Sequence, residues 1–270
     1  MKEKILITPP CFPFFKRIGS LILFFLIITL FSCSGGSTGS GDYDLKTDPC
    51  AGGHTFGQAT CPGCGIKYDY EIGEEGPAGG IIFYVADGED GRTLGFTVLG
   101  NGSDSSLVGI DVGFSQYKAH YLEVAPATPA IANQRWGLAS GNTEIGNGLT
   151  NYANLTAVNT AISDGVIGNG RKDTQIIIAH PQLENAEFAA RSASEYKTES
   201  GHTDWFLPSI TELNLLFQST STVSGMPTIG YFFSSSQYNS DNAWGQSFGG
   251  GSRGYFDKSN NYSVRAVRAF

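Results

Sequence analysis

The chain predicts a globular domain that mixes short strands with short amphipathic helices, and three observations carry that reading. Residues 81–85 (Ile-Ile-Phe-Tyr-Val) form an apolar run behind a Gly-Pro-Ala-Gly-Gly turn, the pattern of a short buried strand. Ser209 and Glu212 stand three apart at the head of an apolar-periodic stretch, as in a capping box, and Pro208 bars a helix from reaching back. Residues 264–270 (Val-Arg-Ala-Val-Arg-Ala-Phe) read as a strand, which ties this end of the chain into a sheet.

The elements follow in chain order. After the 81–85 strand come an acidic turn at 87–91, a polar loop at 101–106 and a second strand at 121–124. A helix over 151–163 sets Leu155, Val158 and Ile162 on one face. Another over 183–197 aligns Leu183, Ala186, Ala190 and Ala193, with Lys197 snorkelling at its end. The capped helix, 210–218, buries Leu213, Leu216 and Phe217. Trp205 and Phe206 just before it are most simply core residues, with an aromatic ligand shelf as the alternative.

Composition bounds the function. The 270 residues carry 17 basic and 25 acidic side chains, a formal charge of -8, so the chain lacks the basic stripe a nucleic-acid binder needs. Charged residues at 16% are too few, and apolar ones at 40% too many, for disorder throughout. The 36 glycines follow no Gly-X-Y period, which excludes collagen.

The first 32 residues read as an export signal. Lys2, Lys4, Lys16 and Arg17 precede an apolar run over 18–31, too short for a membrane span of about 20 residues but suited to a signal core. The run ends at Ser32-Cys33, which resembles a bacterial lipoprotein cleavage site, with Phe31 where a small residue is more usual. That resemblance implies lipidation of Cys33, a flexible Gly/Ser tether over 33–48, and anchorage of the exported protein to the cell envelope, at the outer membrane or cell surface. An uncleaved signal anchor, or a secreted product with an incidental Cys33, is the alternative.

A small cysteine knuckle occupies 49–70. Cys50, His54, Cys61 and Cys64 supply three thiolates and an imidazole, a complete tetrahedral zinc set. So short a stretch has almost no core, and a metal would supply its folding energy. A disulfide with one spare thiol is the competing reading, favoured by an exported compartment.

The region 231–263 holds nine aromatics, eight Ser, five Gly and four Asn, and no Leu, Ile, Val or Met. Ordinary strands fill a core with β-branched aliphatics. This stretch uses the residues of a paratope instead, Tyr and Trp for rigid contact area and Ser, Gly and Asn for adaptable hydrogen bonding. Phe232, Phe233, Trp244 and Phe248 are expected to point inward. Tyr238, Ser240, Asp241, Asn242, Gln246, Arg253, Tyr255 and Asp257 are the expected ligand contacts, with Arg253 and Tyr255 as hot spots. Gly245, Ser247 and Gly249 would shape the patch.

A family resemblance rests on residues in a fixed order: Gly79-Gly80-Ile81-Ile82-Phe83-Tyr84, Tyr121-Leu122-Glu123-Val124-Ala125-Pro126, Asp204-Trp205-Phe206-Leu207-Pro208-Ser209, Ser234-Ser235-Ser236, Asn242-Ala243-Trp244 and the 264–270 segment. Together they resemble the C-type-lectin-like C-terminal domain of bacterial collagen-like adhesins, over 76–270. The polar-aromatic patch also resembles the variable region of retroelement-diversified lectin-fold surface lipoproteins. The resemblance implies an α+β fold, two or three helices packed on small antiparallel sheets with the first and last strands paired. It also implies a macromolecular partner on a host or bacterial surface, protein or glycan. The Glu-Pro-Asn, Gln-Pro-Asp and Trp-Asn-Asp triplets of calcium-dependent lectins do not occur, so calcium-bridged sugar binding is not expected.

Catalytic motifs are weak. Residues 250–254 fit G-x-S-x-G and 249–254 fit G-x-G-x-x-G, both inside a Gly/Ser-rich stretch where chance matches are frequent. His202-Thr203-Asp204 could pair an imidazole with a carboxylate, but no activated nucleophile accompanies it. A binding module without enzymatic activity, and with no cofactor in the main domain, is therefore the expectation. A hydrolase of unknown substrate and a structural envelope lipoprotein are the alternatives.

Overall fold

Apolar runs between Gly-rich turns form strands as expected. Ile81–Val85 is β1 and Tyr121–Val124 is β4, and they pair antiparallel. The computed structural model describes residues 70–86, 95–102, 107, 110–127, 131–138, 145, 146, 148–183 and 186–270, all within one compact unit. The 1–32 signal, the Cys33 tether, the Cys50/His54/Cys61/Cys64 knuckle and the 87–91 turn lie outside the described residues.

Among the described residues, three small antiparallel sheets and four α-helices form a mixed α+β architecture. In the first sheet, β4 stands between β1 and the final strand β8, Val267–Ala269. The two end strands therefore share a sheet without the direct pairing the resemblance implies. Glu123 on β4 lies opposite Arg268 on β8, and the Arg268 guanidinium donates to Glu123 Oε1 at 2.9 Å and to Asp204 at 2.6 Å. This pairing lets a charged residue occupy a strand buried along its whole length. Phe206 exchanges two backbone bonds with Val267, which seats the Trp205–Leu207 stretch against the last strand. The second sheet is a two-stranded pair, β2 (Phe96–Val98) with β3 (Tyr117–Ala119).

The third sheet, β5 (Tyr231–Gln237), β6 (Asn242–Ser247) and β7 (Arg253–Asp257), positions the site. Its first two strands lie between two apolar clusters. Phe233 and Ala243 face one, with Trp136, Ile177, Leu183 and Trp205, whereas Phe232 and Trp244 face the other, with Phe206, Leu213 and Leu216. Alternate side chains thus enter opposite cores. Phe232, Phe233, Trp244 and Phe248 are all buried, and so are Trp205 and Phe206, as expected.

The helices depart further from the sequence pattern. Helix α1 is Leu155–Ser163, capped by Asn154, whose side chain accepts from Ala157 N–H. It buries Val158 and Ala161, while Leu155 faces outward at 45% exposure. Helix α2, Gly170–Ile178, is unexpected from sequence because Lys172, Asp173 and Thr174 are on its buried side and its apolar residues are three consecutive isoleucines. The 183–197 helix is divided. Leu183, Ala190 and Ala193 are buried and Ala186 partly so, but Phe188 is extended (φ -157°) and α3, Ala189–Ser194, is helical after a single turn at Pro181–Leu183. Phe188 is 1% exposed, so leaving the helix is what inserts its ring into the core.

Helix α4, Ile210–Ser219, begins with the full capping box: Glu212 N–H donates to Ser209 Oγ and Ser209 N–H donates to Glu212 Oε2 at 2.7 Å. The other Glu212 oxygen accepts from Gly168 N–H at 2.8 Å and Gly170 N–H at 3.4 Å, at the start of α2. One carboxylate therefore fastens the first turns of two helices, where the helix dipoles favour negative charge. A Cβ at Gly168 or Gly170 would collide with backbone or with Glu212, so both positions require glycine.

Candidate binding surface

Register decides which residues of the third sheet share a face. Asn242 lies opposite Asp257, Trp244 opposite Tyr255, and Gln246 opposite Arg253. Cross-strand partners point to the same side, so these six side chains form one face. α1, α4 and the 150–154 stretch flank it.

The inner strand of that face is sealed. Trp244 is 1% exposed and its Nε1 donates to Tyr152 O at 2.8 Å. Gln246 is fully buried, and its amide donates to Asn214 Oδ1 at 3.2 Å and Gly251 O at 3.1 Å. Gln246 is thus corrected from ligand contact to internal polar strut. The reason is its place on the central strand, covered by α4. Much of the aliphatic-free composition has the same origin. Ser234, Ser235, Ser236 and Gln237 are all buried, with Ser234 Oγ donating to Trp244 O and Ser236 Oγ accepting from Ile210 N–H. Small hydroxyls allow the sheet to pass between two close cores while keeping polar atoms paired.

The outer strand is open. Tyr255 is 55% exposed and stacks on half-buried Tyr238, ring centroids 4.3 Å apart and planes 8° from parallel. Both rings stand edge-on to Trp244, at 6.1 and 5.6 Å. Tyr238 enters the 238–242 turn, where Asn239 Oδ1 accepts from Asp241 N–H at 2.9 Å, Asn242 N–H at 2.7 Å and Asn242 Nδ2 at 3.2 Å. Such a side-chain-tied turn stiffens the tip. Ser240 and Asn242 there are half-buried and Asp241 is exposed.

Arg253 is half-buried and held by neutral groups. Its terminal nitrogens donate to Asn214 Oδ1 at 2.6 Å and Asn159 Oδ1 at 3.1 Å, and no carboxylate pairs with it among the described residues. Its geometry is fixed while its charge stays uncompensated. At the opposite end of β7, exposed Asp257 accepts from Ser259 Oγ at 2.6 Å and Ser259 N–H at 2.8 Å, which hold its carboxyl below the usual range. Gly245 is required beneath this face: a Cβ would strike Phe232 O and the Phe256 ring. The sequence expectation omits Tyr152, Asn159, Asn214 and the neighbouring exposed Leu155. Nothing local marks Asn159 or Leu155, since their relevance arises only from where α1 lands.

Among the described residues, the motif matches do not assemble a catalytic geometry. The G-x-S-x-G match spans the β6–β7 turn and enters β7, with none of the strand-to-helix geometry of a nucleophile elbow. Asp204 bonds Arg268 at 2.6 Å and is 4.0 Å from His202 Nδ1, so it serves the buried ion network. Among the described residues no group of three or more His, Cys, Asp or Glu could hold a metal ion, and no helix is long and apolar enough to cross a membrane.

The small antiparallel sheets and packed helices form a mixed α+β architecture consistent with a C-type-lectin-like domain. Residues 149–268, which contain every residue of this surface, match the family model of the Lcl C-terminal domain, a C-type-lectin-like domain of Legionella and other bacterial adhesins. A search of curated proteins returns no match to the chain.

Proposed function

We propose that the chain is an exported, lipid-anchored surface protein whose lectin-like domain docks a macromolecule through Tyr238, Asp241, Arg253, Tyr255 and Asp257. The observation that carries this reading is exposed Tyr255, stacked on half-buried Tyr238, beside a guanidinium held by the Asn214 and Asn159 amides. Rigid aromatics and a prepositioned arginine supply contact area and directional bonds with little ordering entropy left to lose. Lipidated Cys33 would hold the body at the envelope, and a Gly/Ser tether of eight residues (34–41) would give it a root-mean-square reach of roughly 16 Å. Cys50, His54, Cys61 and Cys64 are read as a zinc-ligand set.

The test is to immobilise panels of host-matrix proteins, bacterial envelope proteins and oligosaccharides and to compare binding of the wild type with Tyr255→Ala and Arg253→Ala. Saturable binding that falls more than about tenfold in each variant supports the surface. Binding indifferent to both variants contradicts it.

A further inference from the structure

The charges on the open strand are arranged as a dipole, and that arrangement discriminates between partner classes. Arg253 and Asp257 are four residues apart on β7 and point to the same face, about 13 Å from one another. Tyr255 occupies the middle of the interval. Among the described residues the Asp257 carboxylate accepts from Ser259 alone, and exposed Asp241 at the same end bonds Ser240 and the 239 turn. No cation pairs with either aspartate, and no carboxylate pairs with Arg253, among the described residues. The face therefore reads cation, aromatic ring and carboxylate along β7, with a second carboxylate, Asp241, at the acidic end, and none of these charges has an opposite partner among the described residues.

An anionic polysaccharide would satisfy Arg253 but bring its next charges against Asp257 and Asp241. A neutral glycan could stack on Tyr255, yet covering three unpaired charges would desolvate them without return. The formal charge of -8 further disfavours a polyanion approaching from a distance. Only a surface carrying both signs completes the face.

Resting on the docking surface proposed above, we infer that the partner is a protein, which presents an acidic side chain to Arg253 and a basic side chain to Asp257, with an apolar or aromatic residue on Tyr255 between them. Binding is oriented along β7, since reversing the partner would oppose like charges at both ends.

The experiment uses the full-length protein in detergent and two probes: a phage-displayed library of short disulfide-closed peptides, and an array of neutral and sulfated oligosaccharides. Selected peptides are expected to carry an acidic and a Lys or Arg residue flanking an apolar one. A selected peptide should weaken about tenfold or more on Asp257→Ala and on Arg253→Ala. On the double variant Arg253→Glu, Asp257→Arg the original peptide should fail, and the peptide with its two charges exchanged should recover to within a few-fold, a rescue that loss of folding cannot mimic. Peptides without a basic residue, or no selectable peptide, would overturn the inference. So would saturable oligosaccharide binding lost with Arg253→Ala and untouched by Asp257→Ala, although that result leaves the docking surface standing. Peptide or sugar binding that ignores Tyr255→Ala and Arg253→Ala alike removes both the inference and the surface beneath it.

Discussion

Tyr238 and Tyr255, seventeen positions apart, stack nearly parallel with ring centroids 4.3 Å apart, and this stack joins the stiff 238–242 turn to the outermost strand of its sheet. The pair fixes the pose of an exposed ring that also meets Trp244 edge-on at 6.1 Å. A preformed pose reduces the ordering entropy that binding must overcome.

The stack should be measurable as a coupling. In a double-mutant cycle on thermal unfolding, Tyr238→Ala and Tyr255→Ala should be non-additive by about 1 kcal/mol. Additivity within a few tenths would mean that the rings do not support one another.

Gln246 and Arg253 face each other across β6 and β7 but should behave differently on substitution. Gln246→Ala removes two buried bonds and leaves Asn214 less satisfied, so it should cost about 2 kcal/mol and lower Tm by several degrees. Arg253→Ala should shift Tm far less while reducing binding. Equal melting losses would place Arg253 with the struts.

Gly245→Ala should be the most damaging small change in the sheet, because the new methyl meets Phe232 O and the Phe256 ring. A cost of about 2 kcal/mol or more is expected from such overpacking, read by denaturant unfolding. A neutral result would show that β5 and β7 can separate to admit it.

Asp173 gives the domain a pH signature. Burial raises its carboxyl from 3.8 to about 6, against the opposing pull of Lys172 at 3.5 Å and the bonds from Thr150. Its folded pKa lies above its unfolded one, so the folded state holds a proton that the unfolded state releases between these values. This contribution to stability falls as pH rises from about 4 to about 6, by about 3 kcal/mol, and then levels off. Glu123 and Glu212, also raised by burial, act in the same direction. The difference between wild type and Asp173→Asn isolates Asp173, and it should change across that window. A difference curve flat from pH 4 to pH 7 would contradict the assignment.

The knuckle is tested by elemental analysis of the purified protein, with about one equivalent of zinc expected. Under about one-tenth of an equivalent, together with a mapped disulfide among Cys50, Cys61 and Cys64, would end the metal reading.

What could be read from sequence followed short-range physics. The capping box at Ser209 and Glu212 declares α4 because both partners lie within one turn. Phe232, Phe233, Trp244 and Phe248 are legible as core by size and apolarity. Helix α2 is hidden because its inward face carries Lys172, Asp173 and Thr174, whose partners are supplied by distant segments, Thr150 and Leu207 among them. Gln246 was misleading for the same reason: nothing in its neighbourhood announces that Asn214, on another element, will cover it. The serines of 234–236 resemble paratope composition, yet they are the filling of a sheet held between two cores. Composition marked the region of the proposed surface, and only register separated its exposed strand from its buried one.

The most direct test replaces Tyr238, Arg253 and Tyr255 together by alanine and measures thermal unfolding beside binding to any partner the wild type captures from a defined protein and oligosaccharide panel. The account predicts that binding is abolished while Tm stays within several degrees of wild type. Undiminished binding, or a collapse of folding in step with it, would contradict the docking surface.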